Sequence, residues 1–151
     1  MTKTEIIQLS AVTDAGMLRD AAKLVKRGWT RAYSGRDEDG NGVGYDKPNA
    51  VCFCAQGAVY RAVMDGLGGE QKVIFTNLFE ETVDRLGRYV IEAIEQTDGV
   101  CPKRHYRERP EYVVVEWNDR WVSSQDDVVA VLEKAATLAL ATADTTKDER
   151  D

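Results

Sequence analysis

Four stretches of the chain repeat apolar residues every three or four positions, the spacing that places them on one face of a helix. The stretches are residues 14–27, residues 50–65, residues 77–96 and a last one that follows Ser123 or Ser124. Thr13 has the chemistry of an N-cap for the first stretch, and Gly28 after it can adopt a left-handed conformation. The pattern therefore predicts four main helices.

The second predicted helix is rich in small residues, and Asn49 after Pro48 is its expected N-cap. A glycine in the middle of a helix costs about 1 kcal/mol relative to alanine. Gly57 therefore predicts a close approach between helices. Before the third helix, Asn77 and Glu80 have the spacing of a capping box.

Two further segments have the composition of strands. Residues 112–117 are dense in β-branched side chains, and residues 71–75 fit a short strand. Together with the helices, they predict a mostly helical α+β fold with a short strand or a small sheet. We expect one globular domain over residues 1–143, followed by a polar tail over residues 144–151.

The loop over residues 34–48 is long, polar and rich in glycine. Asp37, Asp39 and Asn41 occupy the first three ligand positions of an EF-hand loop, but Pro48 stands where the closing glutamate belongs. A plain flexible loop is therefore the main interpretation, and these three residues are a weak candidate for a cation site.

Composition narrows the classes of function. Hydrophobic residues make up 43% of the 151 residues, which is too many for a disordered chain. No apolar run approaches the roughly 20 residues of a membrane helix, and we expect no signal peptide. Three cysteines without such a signal favour reduced thiols in the cytoplasm. We expect no membrane association.

The charges are acidic overall but unevenly spread. The 26 acidic residues outnumber the 20 Lys and Arg residues, which disfavours direct nucleic-acid binding. Residues 19–36 nevertheless hold six basic residues and one acidic residue, and residues 103–109 hold four and one. Two basic faces exposed to solvent explain this uneven distribution of charge, although the same distribution could also steer a charged partner.

Cysteine and histidine supply two candidate sites. Cys52 and Cys54, with Cys101 and His105, provide the four soft ligands of a zinc site. Residues two apart on a helix point in opposite directions, which argues against zinc. The alternative is a papain-like thiol hydrolase, in which His105 activates Cys54 and Asn118 orients the imidazole ring. Against it, Cys54 is expected a turn inside its helix, where the dipole acidifies a thiol less.

The segment Trp117-Asn118-Asp119 is expected to turn the chain before the last helix. Trp117 would anchor the end of the predicted strand in the core, and Asn118 and Asp119 would bond to amides of the turn or to the exposed N–H groups of the last helix. With Trp29 and Arg31 as neighbours, this corner is also a candidate binding site for a ligand.

Three motifs follow one another along the chain: a helix ending at Gly28-Trp29, the run Cys54-Ala55-Gln56-Gly57-Ala58, and Trp117-Asn118-Asp119. In this order they resemble an uncharacterised family of small phage and actinobacterial proteins, over about residues 18–136. The resemblance implies no activity. It implies a phage or mobile-element setting, in which small acidic proteins bind host components.

These observations favour a non-enzymatic protein-binding module that needs no cofactor, with a host protein as its expected partner. The thiol hydrolase is one alternative. A small-ligand sponge with a pocket near the Trp117-Asn118-Asp119 corner is the other. The oligomeric state stays open.

Overall fold

The computed structural model describes residues 1–97 and 109–150 of the chain. In chain order, the elements are α1 (Lys3–Arg27), β1 (Gly35–Arg36), β2 (Gly42–Val43), β3 (Cys52–Phe53), α2 (Ala55–Gly66), a 3₁₀ helix (Gln71–Phe75), α3 (Asn77–Thr97), α4 (Pro110–Glu116), a π-helical turn (Trp117–Trp121) and α5 (Gln125–Arg150). The mostly helical α+β class predicted from the sequence is confirmed.

Helix α1 begins eleven residues earlier than its strongest apolar pattern, at Lys3 instead of residue 14. Thr2 is the N-cap and forms a capping box with Glu5. The predicted cap at Thr13 is therefore wrong, and its hydroxyl donates to the carbonyl oxygen of Leu9 within the helix. At the other end, Gly28 is extended and not left-handed.

The core lies among α1, α2, α3 and α5, and the most extensive contact between two elements is that of α1 with α5. Its largest fully buried apolar side chains are Trp117, Leu18, Leu86, Ile94 and Leu132. Burial of each such side chain contributes about 1.5–3 kcal/mol relative to leaving it in water. The π-helical turn that carries Trp117 is thereby fixed to the helical core.

The three short strands form one antiparallel sheet in the order β2-β1-β3. Gly35 pairs with Val43 on one side and with Phe53 on the other. The turn between β1 and β2 contains Gly40 at a positive φ of 83°. The carboxylate of Asp37 accepts the backbone N–H groups of Asp39 and Asn41 at 3.0 and 2.9 Å. Residues 35–43 of the loop thus form a hairpin in which Asp37 holds its own turn.

Both strands predicted from local composition are helical. Residues 112–117 lie in α4 and at the start of the π-helical turn, since Pro110 occupies the first turn of a helix and Val113 and Val114 are buried. Residues 71–75 form the 3₁₀ helix. The β-branched residues of these segments follow tertiary packing and not their intrinsic preference.

The starts of α2 and α3 also differ from the prediction. Cys54, and not Asn49, is the N-cap of α2, because residues 52–53 pair as β3. In α3, Thr76 accepts the N–H of Phe79 at 3.2 Å, so Asn77 lies inside the helix. The last helix begins directly after Ser124, as the sequence predicts, and Ser124 Oγ accepts the N–H of Asp127.

The backbone of α5 continues to Arg150, through the segment that the sequence separates as a polar tail. The domain limits therefore stay a prediction. Across residues 1–97 and 109–150, none of the helices combines the length and the apolar character needed to span a membrane.

Candidate functional site

Asn118 joins three distant parts of the chain in the interior. Its Oδ1 accepts the indole N–H of Trp29 at 2.8 Å and the backbone N–H of Ala55 at 2.9 Å. Its Nδ2 donates to the carbonyl oxygen of Thr30 at 3.1 Å and to Asp119 Oδ1 at 2.9 Å. The side chain is fully buried, and all four of its hydrogen-bonding positions are used. Such a network fixes the relative positions of the segments it connects.

We call the contacts of Asn118 with Trp29, Thr30 and Ala55 the junction. Arg31 and Asp119 add further hydrogen bonds to it. Arg31 Nε donates to the carbonyl oxygen of Asn118 at 3.2 Å, and its terminal nitrogen donates to that of Val122. The guanidinium lies 4.7 Å from the centre of the Trp29 ring. Asp119 Oδ1 accepts the N–H of Ala32, a non-glycine residue at a φ of 72°. These bonds hold the loop before β1 against the π-helical turn.

Cys54 lies next to this junction at the start of α2. Its Sγ accepts the N–H of Gly57 at 3.2 Å and so acts as the side chain of an N-cap. Burial, helped by the negative charge of Asp119 and opposed by the hydrogen bond from the Gly57 N–H, raises the pKa of the thiol from 9.0 to about 11. A thiol with this pKa is protonated near neutral pH and is therefore a poor nucleophile.

Gly57 explains why this end of α2 is so tightly covered. A Cβ atom at Gly57 would lie 2.0 Å from the carbonyl oxygen of Ser34. The close approach predicted for Gly57 is thus real, but its partner is the loop backbone at Ser34 and not another helix. Gly28 has a similar role, since a Cβ there would lie 2.7 Å from the carbonyl oxygen of Val51.

Tyr112 and Trp121, on either side of Trp117 and Asn118 in the sequence, are two of the large aromatic side chains that the described residues expose. Trp121 is 49% exposed and Tyr112 is 48% exposed. Tyr112 lines a cleft of about 280 Å³ together with Val115, Glu116, Asp119 and Arg120. We call Tyr112, Asp119, Arg120 and Trp121 the corner surface. Its backbone is held through Asn118 and Asp119, so these side chains project from a fixed support.

Comparison with protein families places most of the chain in one family. Residues 9–138 match the model of a family of unknown function, DUF6197. The chain belongs to the DUF6197 family. No curated protein and no solved structure matches it. The expectation of membership in an uncharacterised family is confirmed, and the DUF6197 match includes the junction around Asn118 and the corner surface.

The sequence-predicted binding residues of this DUF6197 protein come together in the structure. Trp29, Arg31, Asn118 and Asp119 are joined by the hydrogen bonds and ring contact described above. Trp117 is different, since its side chain is fully buried in the core. Trp117 has the anchoring position expected for this corner, whereas Asn118 and Asp119 accept the N–H groups of Ala55 and Ala32 in place of the amides expected from the sequence.

The proposed catalytic residues are only partly described. Cys54 and Asn118 are neighbours, because Asn118 Oδ1 bonds to the N–H that follows Cys54. Cys54 is the N-cap, so the expectation that it lies a turn inside α2 is wrong. His105 and Cys101 lie outside the described residues. Within the described residues, no group of three His, Cys, Asp or Glu side chains could hold a metal ion.

Sequence reasoning missed three residues that build the junction. Thr30 accepts from Arg36 Nε at 2.6 Å, and Arg36 also donates to the carbonyl oxygen of Gly40 at 2.8 Å. Gln125 Nε2 donates to the carbonyl oxygen of Val25 at 2.7 Å at the end of α1. These contacts join side chains six positions apart or reach backbone carbonyls, and no local motif marks them. The sequence feature that could have pointed to this region is the pair of glycines, Gly28 and Gly57, at which the backbone is tightly packed.

Proposed function

We propose that this chain is a non-enzymatic binding protein that recognises a protein partner through the corner surface. The observation that carries the proposal is the half exposure of two aromatic side chains near Arg120: Tyr112 lines the same cleft as Arg120, and Trp121 follows Arg120 in the π-helical turn. Trp, Tyr and Arg are the residues most enriched among those that dominate protein–protein binding energy. A fixed support also lowers the entropy lost on binding.

The state of Cys54 supports binding in preference to thiol hydrolysis. A catalytic thiol must reach its substrate as a thiolate, but Cys54 is 4% exposed and its pKa is raised to about 11. The amide of Asn118 is also fully used by Trp29, Thr30, Ala55 and Asp119. Both residues have complete structural roles without any chemistry.

The setting we propose is a phage or mobile element, with a host protein of the cytoplasm as the partner. The short motifs around Gly28, Cys54 and Trp117 support this setting through the resemblance they carry. Lys26 and Arg27, two exposed basic residues at the end of α1, would favour a partner with an acidic surface.

The test is a comparison of three immobilised proteins in lysate from the encoding organism and its host. Wild type is compared with the double variant R120E/W121A and with Phe75→Ala. Phe75 is the matched control, because it is an aromatic residue with 84% exposure on the separate 3₁₀ helix. We expect one protein to be retained by wild type and by Phe75→Ala, and lost from the double variant. Equal retention by all three proteins would reject the corner surface.

A second candidate is a small-ligand sponge, favoured by the cleft beside Asp119 and Arg120. Its volume of about 280 Å³ is near the lower limit of ligand pockets, which begin at about 300 Å³. Thermal-shift measurement with a panel of nucleotides tests this candidate, since a bound ligand raises Tm by mass action. A shift that disappears in Arg120→Ala would favour the sponge over the protein-binding proposal.

A further inference from the structure

The outer face of α1 carries a regular stripe that nothing in the described fold covers. It consists of six positions separated alternately by four and three residues: Glu5, Leu9, Val12, Gly16, Arg19 and Lys23. This alternation is the a/d spacing of a coiled-coil seam. Leu9 is 57% exposed and Val12 is 54% exposed, on the side of α1 opposite to its buried face.

Gly16 lies in the middle of this stripe, and no contact within the described part of the monomer requires a glycine at this position. A Cβ atom at Gly16 would meet nothing within 4 Å, and its φ is not positive. A mid-helix glycine is unfavourable relative to alanine. An apolar pair beside an unfilled position is the arrangement that lets a second helix approach closely.

The charges at the two ends of the stripe identify the second helix. Glu5 is near the N-terminal end, whereas Arg19 and Lys23 are near the C-terminal end. When an identical stripe packs in antiparallel orientation, Glu5 of each copy lies opposite Lys23 of the other copy. In the same register Val12 faces Gly16, and the aliphatic part of Arg19 covers Leu9.

We propose that α1 is a self-association surface, on which a second copy of this chain packs antiparallel through the stripe. The twofold arrangement uses each contact twice, as in other symmetric dimers. One helix pair buries less than the ~1,200 Å² of standard interfaces, so the dimer is weak and depends on protein concentration. This surface is separate from the corner surface.

Sedimentation velocity over a series of protein concentrations tests the proposal. The series extends to about 1 mM, because a small interface is expected to give a weak dimer. We expect the wild-type sedimentation coefficient to rise with concentration towards that of a dimer. Val12→Glu should remain a monomer throughout. Ser10→Glu is the matched control, because Ser10 is exposed on the same helix but lies off the stripe, and it should associate like wild type.

Two further variants separate the interface from a folding defect. Gly16→Leu should raise Tm at low concentration, because leucine is the better helix former, and abolish association. Lys23→Glu should weaken association, because it places a negative charge opposite Glu5 of the other copy and leaves the Thr2–Glu5 cap intact. A wild-type protein that stays monomeric, or association that survives both Val12→Glu and Gly16→Leu, would overturn the proposal.

Discussion

The indole Nε1 of Trp29 donates to Oδ1 of Asn118 at 2.8 Å, and the two residues are 89 positions apart in the sequence. The same oxygen accepts the N–H of Ala55, so one amide group joins the end of α1, the start of α2 and the turn before α5. This bond makes Asn118 the residue on which the position of the corner surface depends most directly.

Replacement of Asn118 by alanine should therefore destabilise the protein strongly. It leaves the Trp29 indole N–H, the Ala55 N–H and the Thr30 carbonyl without this partner, and each buried unsatisfied group costs about 1–3 kcal/mol. We expect the free energy of unfolding in urea to fall by about 3–5 kcal/mol, at the upper end for point mutants.

Asn118→Asp is the informative companion variant. A carboxylate still accepts from Trp29 and Ala55, but it cannot donate to the Thr30 carbonyl, and it brings a negative charge close to Asp119. A stability equal to wild type would contradict the requirement for both halves of the amide.

The ion pair between Asp14 and Arg85 should be the strongest of those between described residues. Arg85 donates to both carboxylate oxygens, at 2.6 and 2.9 Å, and thereby connects α1 with α3. Hydrogen bonding to Asp14 is the main cause of the raised pKa of Arg85. Because Asp14 is buried, Arg85→Ala leaves its charge unpaired and should cost about 3 kcal/mol in a urea titration.

Arg88→Ala provides the matched control on the same helix. Arg88 pairs with Asp84 at 3.1 Å, but both side chains are about half exposed. An exposed pair four residues apart on a helix contributes about 0.3–0.5 kcal/mol. A loss as large as that of Arg85→Ala would show that burial of the carboxylate is not what decides the difference.

The helices were predictable where one face is apolar and the other polar, as in residues 77–96 and the start of α5. The sequence does not predict the first half of α1, because some of its apolar residues face outward. Leu9 and Val12 are exposed and interrupt the spacing that is typical of a buried face. Asp14, the first residue of the predicted stretch, lies inside α1 and pairs with Arg85.

The site was predictable in its residues but not in its contacts. Trp29, Arg31, Asn118 and Asp119 stand out as an aromatic and polar set, and they do meet. What the sequence could not predict is that Asn118 bonds to backbone groups at Thr30 and Ala55, since any residue type supplies those groups. The valine run after Pro110 was misassigned because β-branched residues fit a buried helix face as well as a strand.

Two glycine-to-alanine variants should have opposite effects on stability. In Gly57→Ala, the new Cβ would lie 2.0 Å from the Ser34 carbonyl oxygen, and backbone cannot move aside easily. We expect a loss of more than about 2 kcal/mol, despite the better helix propensity of alanine. In Gly16→Ala nothing is met within 4 Å, so a gain of about 0.5–1 kcal/mol should follow at low protein concentration. Circular dichroism melting of both variants tests the contrast, and two changes of the same sign would contradict it.

The buried thiol should make stability depend on alkaline pH. The pKa of Cys54 is about 11 in the folded protein and 9.0 when unperturbed. The folded state therefore holds its proton where the unfolded state has lost it, so the contribution is complete below pH 9 and is lost as pH rises through 11. A pKa shift of this size corresponds to about 2–3 kcal/mol.

Comparison with Cys54→Ala isolates this effect, because Tyr45, whose pKa burial raises to about 12, titrates in both proteins. Near neutral pH the variant should be less stable by about 1–2 kcal/mol, through the lost cap and the small cavity. The difference should shrink between pH 9 and pH 11 in urea titrations. Iodoacetamide near neutral pH should leave Cys54 unmodified in the folded protein, since only about 1 thiol in 10,000 is ionised there. Rapid stoichiometric labelling at Cys54, identified by peptide mass, would instead show an accessible thiolate and revive the hydrolase.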